Sequence, residues 1–124
     1  VEAIVARMAD HLGAAWLEVA SPRGAGEARV TRVGVCAGAG GSLLGEVGPG
    51  GVEVFVTGEM RHHDVLDAVQ QGVTVILAGH TATERPYLPV YRDRLVAAGG
   101  AAVTWKVSDA DRAPGVMRRF GGGV

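Results

Sequence analysis

Three of the four histidines of this 124-residue chain fall between Thr57 and Arg85, in the stretch TGEMRHHDVLDAVQQGVTVILAGHTATER. His80 and Glu84 stand four residues apart. On a helix that spacing brings both side chains to one face, close enough to share an ion. Imidazole nitrogen and carboxylate oxygen are suitable donors for Zn, Fe, Mn or a similar divalent metal. The same residues admit a second reading. Thr81 to Glu84 spell a capping box, in which Glu84 would hold only a backbone N–H. Pro86 and Pro89 interrupt the continuous helix that the shared-face argument assumes. One His and one acid are also fewer ligands than a protein metal site uses.

His62, His63 and Asp64 stand at a helix start. Neighbours on a helix point in different directions, so the two histidines are not expected to serve one ion. Either could act from a loop edge, or Asp64 could complement the helix N-terminus beside a solvated His. Gly38 to Ser42, GAGGS, follows a strand and opens a short helix, a place where backbone N–H groups meet anions. It lacks the third glycine of GxGxxG, the Lys of a P-loop and the GxSxG of a serine nucleophile. Close packing of a turn explains it equally well. Cys36, inside a strand, reads as a small buried residue rather than a reactive thiol.

Those residues need elements to hold them. VEAIVARMADHLGAAWL carries apolar residues at helical spacing, with His11 on that helix, away from the other histidines. Residues 20–28 read as a Gly/Pro loop. Strands are predicted near 30–36, 52–57, 73–78 and 102–107, from β-branched, apolar runs bounded by glycine. Between them come the short GSLLGEV, a helix closed by Gly72, and a helix starting near Pro89. The tail RRFGGGV reads as loose. Alternating strands and helices imply right-handed crossovers and an α/β fold, a mainly parallel sheet flanked by helices, in one domain over residues 1–124. Ligands gather beyond the carboxyl ends of such strands. CAGAGGS, TGEMRHH, AGHTATE and KVSDAD are therefore expected to open on one edge of the sheet.

The bulk composition narrows the function. Hydrophobic residues are 48% of the chain and charged residues 20%, a balance that folds. The 12 basic and 13 acidic side chains leave a formal charge of -1, which gives no support for nucleic-acid binding or electrostatic membrane attachment. No apolar run approaches the roughly 20 residues that span a bilayer. A single cysteine excludes an internal disulfide and is compatible with a reducing compartment, so a soluble cytoplasmic protein is expected. The chain starts at Val1 directly in a helical pattern, as one part of a longer polypeptide would.

Taken in order, RVGVCAGAGGSLL, VEVFVTGEMRHHDVLDAVQQGV, VILAGHTATER and SDADRAP resemble the C-terminal half of the Nif-three-like family, also known as GTP cyclohydrolase 1 type 2 homologues. The resemblance runs over nearly the whole chain. It implies an α/β protein of two similar halves, assembled as a ring-shaped homo-hexamer, with a two-metal site in the cleft between the halves. His80 and Glu84 match the metal ligands of the family's GH…E motif. His63 matches the histidine of TG(D/E)…H and Glu59 its acid, while Gly38 to Ser42 match the glycine-rich turn. The family's N-terminal half supplies a paired-histidine motif and an aspartate, and nothing in this chain corresponds to them. The N-terminal half is therefore missing from this chain, or the chain is a half-protein.

Two functions follow. One is a divalent-metal-dependent hydrolase acting on a small or phosphorylated molecule, with His80 and Glu84 as ligands and His63 as the acid/base or phosphate-contacting group. The other is a non-enzymatic scaffold that binds metal or a partner. An anion or nucleotide binder built on GAGGS is least favoured, because that loop lacks a basic contact.

Overall fold

The computed structural model describes residues 1–27, 29–47, 50–99 and 102–115. Helix α1 (Glu2–Leu12) leads to a short strand β1 (Glu18–Ala20) and a 3-10 turn (Ala25–Glu27). Strand β2 (Val33–Ala39), helix α2 (Gly41–Val47), strand β3 (Val54–Glu59), helix α3 (His62–Gln70) and strand β4 (Thr74–Leu77) follow. Helices α4 (His80–Glu84) and α5 (Tyr87–Ala97) complete the elements.

The sheet has the order β1-β4-β3-β2. β2, β3 and β4 are parallel, with Val35 beside Val56 and Val56 beside Ile76. The two connections that return these strands to one direction run through α2 and α3, as a parallel sheet requires. Central β3 is buried from Val54 to Gly58, and its alternate side chains feed two cores. Val54, Val56 and Ile76 face α1, whose Ile4, Val5 and Met8 pack on them at helical spacing. Phe55 and Val75 face the other way, against Ala68 of α3 and Leu44 of α2. α1 ends at Gly13, which takes the left-handed φ of 60° that closes a helix at little steric cost.

Two expectations are corrected. Residues 102–107 form no strand; Val103 and Trp105 are exposed. The sheet position beyond β4 is taken by β1, which runs antiparallel with Glu18 opposite Leu77. Three strand-end loops, not four, therefore meet at the carboxyl edge. The opening helix is also shorter than its apolar spacing suggests, because Gly13 stops it and leaves Trp16 outside. α5 begins at Tyr87, with Pro86 at its N-cap, two residues before Pro89. The tail RRFGGGV lies outside the described residues. Among those described, no helix is long and apolar enough to cross a membrane.

Candidate functional site

The carboxyl ends of β2, β3 and β4 deliver Gly38, Glu59 and His80 to one place. After β4 the chain turns at Gly79, with φ 89°, into the five-residue α4. His80 and Glu84 are its first and last residues. Pro86 falls just beyond it, so the prolines bound this turn of helix rather than break it. The side chains meet, with His80 Nε2 3.3 Å from Glu84 Oε1. The capping box does not form: the N-cap is Gly79, with no side-chain hydrogen bond to the helix start. On the other side of the ring, His80 Nδ1 lies 3.0 Å from Glu59 Oε1. The hydrogen bond to Glu59 is the main cause that raises the His80 pKa above its ordinary value, with the charges of Glu84 and Glu59 adding to it against a desolvation effect.

Glycines make the approach possible. Gly38 lies in a bulge of β2 at φ 71°, and a Cβ there would sit 2.6 Å from Glu84 Oε1 and 3.3 Å from His80 Nε2. A Cβ on Gly58 would meet the Gly38 carbonyl oxygen, His80 Cα and Thr83 Oγ1, each at 2.7 Å. Two threonines fix Gly38 between β3 and α4. Its N–H donates to Thr83 Oγ1 at 2.9 Å, and its carbonyl accepts from Thr57 Oγ1 at 3.1 Å. Thr83 Oγ1 in turn donates back to the His80 carbonyl at 2.8 Å. Neither threonine stands out in the sequence, because each acts on a segment far away in the chain.

The donor set can be tested against a metal. N and O ligands bind zinc at roughly 2.0–2.2 Å in a tetrahedron, so two of them stand about 1.6 times that distance apart. The 3.3 Å between Nε2 and Oε1 suits two ligands of one ion. The space beside them is the one a Cβ on residue 38 would fill. Glu59 faces the opposite nitrogen and cannot join that pair. Accordingly, no group of three or more His, Cys, Asp or Glu side chains able to hold a metal occurs among the described residues. The pair fits a metal but does not complete its shell.

His63 lies on the exposed first turn of α3, edge-on to His62 with ring centroids 5.8 Å apart. Among the described residues no hydrogen bond or ion pair joins it to His80 or Glu84. Asp64 is held by Arg61 through two hydrogen bonds of 3.0 and 3.1 Å. A cleft of about 440 Å³ runs past Gly41, Ser42, Glu59, Arg61 and Asp64 at the strand ends. Gly40 has no room for a Cβ, which would lie 2.6 Å from Thr57 Oγ1 and 3.0 Å from Cys36 Cβ and Phe55, so this glycine of GAGGS serves close packing, while a Cβ on Gly41 would meet the end of the Asp64 side chain at 2.7 Å. Cys36 is half-buried, and its thiol donates to the Ala37 carbonyl at 3.4 Å. His11 lines a separate apolar groove with Val35, Tyr87 and Val90.

The family model for Duf34/NIF3 (NGG1p interacting factor 3) matches residues 1–114. NIF3-like protein 1 of Bos taurus is 38% identical over 115 residues, which are 92% of this chain and 30% of that protein. NGG1-interacting factor 3 of Saccharomyces cerevisiae is 32% identical over 114 residues, covering 90% of this chain and 39% of that protein. The chain thus spans between about a fifth and two-fifths of the length of the curated relatives it matches. Among solved structures, a Bacillus cereus protein related to NIF3 superposes with a TM-score of 0.64 at 20% identity, over 89% of this chain and 30% of its own. TTHA1606 from Thermus thermophilus does so with 0.63 at 29% identity, over 78% and 37%.

Proposed function

This chain belongs to the Duf34/NIF3 family, and from that premise we propose that it supplies two ligands, His80 and Glu84, to a divalent-metal site completed by residues outside it, in a metal-dependent hydrolase. The observation that carries the reading is the 3.3 Å approach of Nε2 and Oε1 beside a glycine at position 38. His80 and Glu84 would hold a divalent ion there, and its chemistry when bound would be to polarise a substrate oxygen and acidify water. The chain's own residues do the rest. α4 holds the two ligand atoms on one face, and the Thr57–Gly38–Thr83 clamp fixes the β2 bulge against them. His63, exposed on the first turn of α3, is the acid/base or phosphate-contacting group of the proposal.

Two ligands fall short of the three plus water that a catalytic zinc uses, which is why the site needs a further contribution. Assembly as a ring-shaped homo-hexamer in the cytoplasm belongs to the same proposal. Val35, 72% exposed on the edge strand β2, supports a protein surface packing there. The second reading, a metal- or partner-binding scaffold without catalysis, is favoured by the same shortage of ligands. Metal analysis of the purified full-length protein, followed by a screen of phosphorylated and other hydrolysable substrates, separates the two. Bound metal with turnover supports the hydrolase; bound metal without turnover supports the scaffold; no bound metal overturns both metal readings.

A further inference from the structure

Glu59 sits at the last residue of β3, beside the start of α4. Its neighbour Gly58 has no room for a side chain, because a Cβ would lie 2.7 Å from His80 Cα. The Gly58 carbonyl also accepts from the Gly79 N–H at 2.9 Å, carrying the β3–β4 pairing one step past the strands. The backbone therefore fixes Glu59 against His80. Its carboxylate makes no other hydrogen bond or ion pair among the described residues. Glu59 is the nearer of two carboxylates that flank the ring, at 3.0 Å from Nδ1 against 3.3 Å for Glu84 from Nε2. A neutral imidazole has one N–H, and which nitrogen keeps it is set by the better acceptor.

We propose that Glu59 is a positioning residue that holds His80 as the Nδ1–H tautomer, so that the Nε2 lone pair stands beside Glu84 Oε1 as a ready ligand atom. This rests on the assignment of His80 and Glu84 as a ligand pair. A metal-binding histidine needs an unprotonated nitrogen and a fixed ring plane, and a carboxylate on its far nitrogen supplies both. Without Glu59, the remaining acceptor is Glu84. It draws the proton to Nε2, and the two ligand atoms then bond each other instead of an ion.

The test uses nitrogen NMR of the imidazole rings in the metal-free chain, at a pH where histidine is neutral, with Glu59→Ala, Glu59→Gln and Glu84→Ala. Wild type is expected to show Nδ1–H at His80. Glu59→Gln keeps it, since the amide oxygen still accepts, and Glu59→Ala moves the proton to Nε2. Wild type with Nε2–H, or Glu59→Ala with an unchanged tautomer, overturns the proposal. Titration with zinc alone is the second arm. Glu59→Ala should weaken binding by about 10- to 100-fold, with Glu59→Gln closer to wild type. Equal losses in the two variants would overturn the tautomer mechanism. If Glu84→Ala leaves zinc binding unchanged, the ligand assignment fails, whereas the tautomer result still reports on Glu59. An unchanged amide spectrum shows that each variant is folded.

Discussion

His80 Nε2 and Glu84 Oε1 lie 3.3 Å apart across one turn of α4, and the room beside them is kept by a residue of another element, Gly38 of β2. The local spacing brings the pair to one face. The long-range packing keeps that face open. A site of this kind depends as much on the absent Cβ as on the donors.

Glycine substitutions should rank accordingly. Gly38→Ala places a methyl group against the far end of the Glu84 side chain, which can swing away. Its cost is that of a left-handed φ, about 1–2 kcal/mol, together with loss of the His80–Glu84 contact. Gly58→Ala meets backbone atoms that cannot move, at 2.7 Å, and should cost about 3 kcal/mol or more. Chemical denaturation of both variants checks the order.

Thr83 should matter through its hydroxyl. Thr83→Val keeps the shape but leaves the Gly38 N–H without its acceptor, at about 1–3 kcal/mol. Thr83→Ser should recover most of that. Equal stability of Val and wild type in thermal melts would show that the clamp contributes nothing.

Ile76 is fully buried in the sheet centre. Ile76→Val should cost about 0.5–1.5 kcal/mol and Ile76→Ala about 2–5 kcal/mol, measured by equilibrium unfolding.

Glu53 gives the pH dependence. Backbone N–H groups of Thr31, at 2.6 Å, and Arg32, at 3.0 Å, donate to its carboxylate and hold its pKa below 4.5. A carboxyl whose folded pKa is depressed stabilises the fold above its unfolded value and loses that effect as pH falls through the folded one. The stability gap between wild type and Glu53→Gln should therefore be constant near neutral pH and close progressively below about 4.5. Urea midpoints measured across that range test it; a gap that widens on acidification contradicts it.

Much of this was legible from local pattern. The α1 face, the three parallel strands and the Gly41–Val47 helix follow from period and punctuation, and the strand-end rule placed His80 and Glu84. The i,i+4 spacing could not by itself choose between a ligand pair and a capping box. Gly79, already at the N-cap with φ 89°, excludes the capping box in three dimensions. β1 has three residues and so no period to detect. Residues 102–107 alternate as a strand does, yet the place beside β4 is filled by β1. Thr83 was invisible because its partner, Gly38, lies 45 residues earlier.

The most direct measurement is calorimetric titration of zinc or manganese into this chain and into the full-length protein, each with His80→Ala and Glu84→Ala beside wild type. On the proposal that His80 and Glu84 are two ligands of a larger set, this chain alone should bind weakly, and a full-length protein that carries the rest of the set should bind tightly. Either substitution should weaken binding in the full-length protein while leaving the fold intact, since both side chains lie at the surface. Tight stoichiometric binding by the isolated chain that neither substitution changes would place the metal elsewhere and contradict the assignment of His80 and Glu84.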